Sequence, residues 1–366
     1  MQYFHSAESS RPQLSHRSIS SRLSTAGIAY RCTVKNSASA RPLVIAHRGA
    51  SGYRPEHSLA AYDLALDLGA DAVEPDIVAT KDGILVLRHE NEISGTTDVA
   101  AHPEFADRRT SKVIDGQKLT GWFTEDFTWQ ELRTLRVRER LPKLRSRAFD
   151  GEEGILRLTD LLDLLDDRGG AGMVAEIKHA TYFESIGLPL DELFAAELSS
   201  AGWSSDPRLT VECFETTVLG RIRNRGVQAK YVFLLEAAGA PADQVAAHGS
   251  AAQPFSAYLT DGGLVALAAS GLQGISVDKR MLLELDKAGN ATGTTDLVQR
   301  AHAAGLDVYC WTLRAENQFL AKNLRRGVNA RDYGDWLGEF QLLMRTGLDG
   351  VFSDQADLAI EARAAL

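Results

Sequence analysis

His47 and Arg48 end a short apolar run, Leu43 to Ala46, after which Gly49 and Gly52 bend the chain away. An imidazole that titrates near neutrality, beside a permanent cation, suits an anionic group lying in front of both. Glu74 and Asp76 stand two apart in the stretch Ala72 to Val78. Glu176 and Lys178 stand two apart in the stretch Met173 to Lys178. On a strand, positions i and i+2 point to the same side, so each pair presents its charged heads together. Three carboxylates brought to one place repel one another unless protons or a cation neutralise them, and Lys178 offsets only one charge. An all-oxygen ligand set suits a hard divalent cation, Ca2+ or Mg2+. Zinc lacks here the His and Cys cluster that it prefers. Taken singly, each feature is ordinary: a capping His, an acidic pair on a strand, a surface Glu–Lys pair. Their joint placement at successive strand ends is what points to chemistry, because stability alone gives no reason to cluster charge there.

Apolar runs and helical patterns alternate from residue 43 onward. Strands are expected at 43, 72, 173, 209, 229, 274, 307 and 350, each followed by a helical or less regular stretch. Ser58 is a good N-cap for a helix whose apolar face would be Leu59, Tyr62 and Leu66, closed by Gly69. Thr159 is read as the cap of a helix through Asp167. Pro75 marks an irregular place in the second strand. Ile84 to Leu87 runs back as a short strand ending at Arg88 and His89. Residues 91–155 break the rhythm. They are polar, with scattered aromatics and a basic run from Arg133 to Arg147, and are too long for a structureless loop, so a small inserted subdomain is expected. Eight β-then-α units predict a (β/α)8 TIM barrel over residues 41–366. The alternative, a doubly wound sheet, lacks its glycine-rich turn after the first strand. In such barrels the site lies at the C-terminal ends of the strands, where His47, Glu74, Asp76 and Glu176 would converge.

The composition excludes other classes. The net charge of the chain is −9, but residues 1–41 carry five Arg and one Lys against Glu8, a net +5, leaving −14 for the rest. An acidic body offers no counterion-releasing face to nucleic acid. No apolar run approaches the length of a membrane span. Cys32, Cys213 and Cys310 make an odd count without paired spacing, hence no disulfide framework, and the last two read as core residues. Residues 1–40, rich in Ser and Arg and without apolar periodicity, are expected to be a disordered tail. They hold no continuous apolar segment of the secretory kind, so a cytoplasmic location is expected.

The segment from Val44 to about Asp98 resembles the opening of a glycerophosphodiester phosphodiesterase. The matching motifs are His47-Arg48-Gly49, Pro55-Glu56-His57-Ser58, Glu74-Pro75-Asp76 and His89. Glu176-Ile177-Lys178, Trp311-Thr312 and Phe352-Ser353-Asp354 extend the likeness over roughly residues 43–358. The resemblance implies a TIM barrel and a divalent metal on Glu74, Asp76 and Glu176. It also implies His47 and His89 as the acid/base pair and Arg48 and Lys178 on phosphate oxygens. Attack would come from the neighbouring glycerol hydroxyl, through a cyclic phosphate that water then opens to sn-glycerol 3-phosphate. Trp311 and aromatics of the insertion would wall the substrate. Two positions depart from the pattern: Glu90 stands where Asp commonly follows the second His, and Glu212 where Gln is common.

Three other readings share parts of this pattern. A lysophospholipase D or sphingomyelinase-D-like enzyme would need an apolar lip, whereas the insertion is polar and basic. An inactive barrel that binds phosphorylated ligands would not need the full set of His, Arg, Lys and carboxylates. A sugar isomerase or aldolase would use the three acids but not the His47–Arg48 pair. Fold alone does not separate these.

Overall fold

The computed structural model describes residues 41–366. The expectation of a disordered tail over 1–40 lies outside the described residues. Eight parallel strands close into a barrel. They are Leu43–His47, the second strand in two pieces (Ala72–Glu74 and Asp76–Ala79), Gly172–Ile177, Leu209–Cys213, Lys230–Leu235, Gly274–Asp278, Asp307–Leu313 and Gly350–Ser353. Each pairs in parallel with the next, and the ring closes where Leu43 pairs with Gly350. A doubly wound sheet would have left two open edges, so that alternative is corrected.

Strand periodicity sorts the side chains. Val44, Ala46, Val73, Met173, Ala175 and Ile177 point outward into one large core shared with the helices. Ile45, Ala72, Val174, Val232, Tyr309 and Phe352 point inward and pack on one another. Two residues further along those same strands, on the same inward face, come His47, Glu74, Glu176, Leu234, Trp311 and Asp354. The apolar inner layer is therefore the floor on which the polar groups stand.

Pro75 splits the second strand. It has no N–H for the ladder, yet its carbonyl still accepts from Glu176 N at 2.9 Å. Below Pro75 the strand pairs with the first strand, His47 level with Glu74. Above it, Asp76 is level with Glu176, and Ile77 to Ala79 pair with the antiparallel Leu85–Leu87. That return strand ends at Arg88, whose N–H donates to Asp76 O at 3.0 Å, and so delivers His89 to the mouth.

The helix Leu59–Asp67 is capped by Ser58, as expected. Its buried face is Ala61, Tyr62 and Ala65, however, and Leu59 is 42% exposed. The cause is close approach. Gly49, in the left-handed region at φ +80°, lies so near Ala61 that an added Cβ would sit 2.7 Å from its backbone carbon. Only a small side chain fits at position 61, where the two turns meet. The next long helix, Leu158–Arg168, is capped at Arg157 rather than Thr159, because the Asp160 carboxylate accepts from Arg157 N at 2.9 Å.

The inserted segment holds short 3-10 turns, a hairpin (Thr110–Ile114 with Gln117–Gly121) and a one-turn helix, Trp129–Leu132. Phe105, Trp122, Phe127 and Leu135 join the same core as the barrel's outer layer.

Candidate active site

A cleft of about 630 Å3 opens at the C-terminal ends of the strands. His47, Arg48, Glu74, His89, Glu176 and Trp311 all line it. Asp76 and Lys178 lie just beneath, 0% and 6% exposed. These eight residues are thus gathered at one place, whereas the aromatics of the insertion are not at the cleft: Phe105, Trp122 and Phe127 are buried in the outer core instead. Carboxylate oxygens of Glu74, Asp76 and Glu176 lie within 4.8 Å of one another.

The strand register and two supports hold this trio. Arg48 N donates to Glu74 Oε2 at 2.8 Å. His57, fully buried and itself at φ +57°, spans Tyr62 OH (2.7 Å) and Asp76 Oδ2 (2.9 Å). The other oxygen, Asp76 Oδ1, is buried and makes no hydrogen bond; Lys178 Nζ stands 3.6 Å from it. A buried anionic oxygen without a donor, facing two more carboxylates, is the arrangement a hard cation satisfies. The donor set fits such an ion.

Burial pushes Glu176 up to about 8, with Lys178 pulling it down and Asp76 pushing it up further. Burial and the neighbouring acids also raise Glu74 and Glu212. Asp76 alone goes down: His89, Lys178, Arg48 and the His57 hydrogen bond outweigh its burial. Metal binding requires the ionised carboxylates, so at pH 7 it must displace protons. Adding Ca2+ or Mg2+ at that pH should release about one proton or more, and affinity should rise with pH up to about 8. Calorimetry in two buffers of different ionisation enthalpy reads the count. A count of zero at pH 7 would show that Glu176 is already ionised or is not a ligand.

Both imidazoles are tethered through Nδ1. His47 Nδ1 donates to Asp354 Oδ1 at 2.6 Å, and His89 Nδ1 to Glu90 Oε1 at 2.5 Å. The Glu that departs from the expected Asp at position 90 therefore reaches the ring. Each Nε2 is left as the basic nitrogen. Burial, then Arg48, push His47 down to about 4, against the pull of Asp354. Burial, Arg48 and Lys178 push His89 down to about 3.

Arg48 is held at φ +60°, with Nη1 donating to Glu56 Oε2 at 3.0 Å and Nε 3.1 Å from Asp76 Oδ2. Lys178 Nζ donates to Glu176 Oε1 at 2.7 Å and faces the Phe214 ring. Trp311 stands edge-on to Phe214, 6.0 Å between centroids. It is a wall of the cleft rather than core. Glu212, level with Glu176, also lines the cleft, and its Oε2 is buried without a hydrogen-bond partner.

The comparisons with known proteins cover nearly all of this structure. The profile of the glycerophosphoryl diester phosphodiesterase family matches residues 47–358. The chain belongs to that family. Its chemistry is hydrolysis of glycerophosphodiesters. It is 31% identical over 337 residues to the glycerophosphodiester phosphodiesterase GDPD6 of Arabidopsis thaliana, covering 88% of this chain and 86% of the relative. Two solved structures share the fold. One, from Silicibacter pomeroyi, is a family member by its description (TM-score 0.60, 20% identity, 88% of this chain and 93% of that one). The other is an Oleispira antarctica phosphodiesterase in complex with its product sn-glycerol-3-phosphate (TM-score 0.57, 22% identity, 88% and 96%).

Several neighbours of the site had no role readable from the sequence, even where they stood in a matched motif. Asp354 takes His47 Nδ1 with one oxygen and two arginines with the other, Arg145 and Arg314, both at 2.6 Å. Its place at the end of the eighth strand was the available clue. His57 stood in the matched motif Pro55-Glu56-His57-Ser58, but its place behind Asp76 depends on the turn that Arg48 and Gly49 impose. Part of the cleft wall also went unseen. The hairpin of Leu283–Leu285 with Ala291–Thr294 is too short and polar to announce itself, and the helix Trp336–Met344 lies in a stretch left unassigned. No helix among the described residues is long and apolar enough to cross a membrane.

Proposed function

We propose that His47 and His89 divide the base and acid roles in cleaving a glycerophosphodiester to sn-glycerol 3-phosphate and an alcohol, with Arg48 and Lys178 on the phosphate oxygens. Glu74, Asp76 and Glu176 would hold a divalent cation, Ca2+ or Mg2+. When bound, that cation supplies a fixed positive charge against the negative charge that builds on phosphorus's oxygens. The observation that supports this reading is that both histidines, each with Nδ1 tied to a carboxylate, open on the same cleft as Glu74 and Glu176.

The basic imidazole takes the proton of the glycerol hydroxyl next to the phosphorylated carbon as its oxygen bonds to phosphorus. The other imidazole gives a proton to the leaving alcohol as its P–O bond breaks. Water then adds to the cyclic phosphate with the proton traffic reversed, opening the ring to the 3-phosphate. Two rings near 3 and 4 begin neutral at pH 7. A phosphodiester anion seated beside Arg48 and Lys178 offsets the cations that depress both rings, so binding of substrate raises the ring that must donate. Arg48 and Lys178 are tied to Glu56, Asp76 and Glu176, which keeps their heads in place for the incoming anion. Trp311 packs the glycerol or leaving-alcohol side of the cleft.

The lipid reading is not favoured. Leu283, Leu285 and Phe319 on the cleft wall are interleaved with Arg280, Lys322 and Arg325, which do not make an apolar lip. The test is a panel of glycerophosphodiesters and lysolipids, each assayed with Ca2+ and with Mg2+, with products identified. Release of sn-glycerol 3-phosphate from the soluble diesters is expected. Turnover confined to lysolipids would overturn the reading.

A further inference from the structure

Both carboxylates that hold the imidazoles are themselves held by arginines of one short stretch of the inserted segment. Arg145 Nη2 donates to Asp354 Oδ2 at 2.6 Å, its Nε to Glu316 Oε1 at 2.7 Å, and its Nη1 to the Ser51 carbonyl at 3.1 Å. Arg140 forks across two acids. Its Nε and Nη2 reach Glu56 at 2.5 and 2.6 Å, and its Nη1 and Nη2 reach Glu90 at 3.0 and 2.6 Å. Glu56 in turn accepts from Arg48. The other arginines of the same basic run do not do this. Arg133, Arg136 and Arg147 are exposed, and Arg147 pairs on the surface with its neighbour Asp150.

The run is aimed by its own backbone. Arg138 N donates to the Thr96 carbonyl, Val137 N to the Glu153 carbonyl, and Glu139 N to Asp150 Oδ1, all within 2.8–2.9 Å. Residues 140–145 leave that anchored base, and Arg140 and Arg145 reach the groups that follow the first strand, the return strand and the eighth strand. Glu90 is 31% exposed and long. Without a second partner its carboxylate would turn freely in water and take the His89 ring with it. A planar five-donor fork that grips two carboxylates at once removes that freedom.

We propose that Arg140 and Arg145 are positioning residues: Arg145 fixes Asp354 and through it His47, and Arg140 fixes Glu90 and through it His89. The insertion thereby sets the aim of both Nε2 atoms. This inference rests on the acid/base reading of the two histidines given above.

A double-mutant cycle tests it. Arg145→Met is made alone and with His47→Ala, and Arg140→Met alone and with His89→Ala. kcat and KM are measured well below each variant's melting temperature. Each single arginine variant should lower kcat about tenfold or more and change KM less than about threefold. In the matching His→Ala background, the arginine change should cost no more than about twofold further. A residue that only pins the insertion would lower activity by the same factor in both backgrounds, and that additive result overturns the proposal, as does a change confined to KM. Arg140→Lys and Arg145→Lys keep the charge but not the fork. They cover the case in which Met variants do not fold, and each should fall between wild type and Met in kcat. Full kcat in both Lys variants would also overturn it. If the single His→Ala variants turn over normally, the acid/base reading fails and the inference falls with it. If they are impaired while the arginine variants are not, the inference alone fails.

Discussion

His47→Ala and His89→Ala should each lower turnover of a glycerophosphodiester by about 10²-fold or more while the barrel stays folded. Each ring lies on a different element, one on a barrel strand and one on the return ribbon that follows Pro75, so neither can stand in for the other. Neither supports the core: the floor beneath them is Ile45, Tyr309, Phe352 and their neighbours. Circular dichroism and melting should therefore change little while kcat falls. The loss should be in kcat more than in KM, because the proposed phosphate contacts of Arg48 and Lys178 would remain. Near-normal turnover in either variant removes that histidine from the proton transfers.

Chelation should abolish hydrolysis altogether, and Ca2+ or Mg2+ added back should restore it. Three buried acids facing one another are a poor arrangement for binding an anionic substrate unless a cation offsets them. Lys178 is engaged by Glu176, and Arg48 is divided between Glu56 and Asp76, so the local cations are already matched. Asp76→Asn should be as damaging as chelator, since Asp76 carries the unpartnered buried oxygen and stays ionised beside His57 and Arg48. Undiminished activity in EDTA, with the protein stripped of metal by elemental analysis, would reject the ion's part in the reaction.

The parts of this site that could be read from sequence are those set by strand period. Two-residue spacing put Glu74 with Asp76 and Glu176 with Lys178, and the rule that barrels work at strand C-termini put them together. The eight strands were readable because buried parallel strands are short apolar runs between helical patterns. In the first helix Tyr62 is buried and Leu66 packs on the core as read, but Leu59 is exposed and Ala61 and Ala65 are buried in its stead, because the approach of Gly49 to Ala61 is a contact between turns that hydrophobic periodicity does not encode. The partners of Asp354, which stood in a matched motif, and of Arg140 and Arg145 were beyond reach for a related reason. Those partners lie 307, 50 to 84, and 171 to 209 residues away, and ion pairs across such gaps leave no local pattern. Glu90 shows the converse: a residue that looked like a departure in the motif reaches the same ring nitrogen with one more methylene.

The proposed seating of the phosphate between Arg48, Lys178 and a cation would have a cost that falls after the bond is broken. A diester carries one negative charge; the monoester it becomes carries nearly two near neutrality, its second proton leaving at about pH 6. The cradle that welcomes the reactant thus grips what it makes more firmly. With the phosphate so seated, departure of glycerol phosphate would slow as the pH rises, and accumulated glycerol phosphate would compete with the next reactant for its seat.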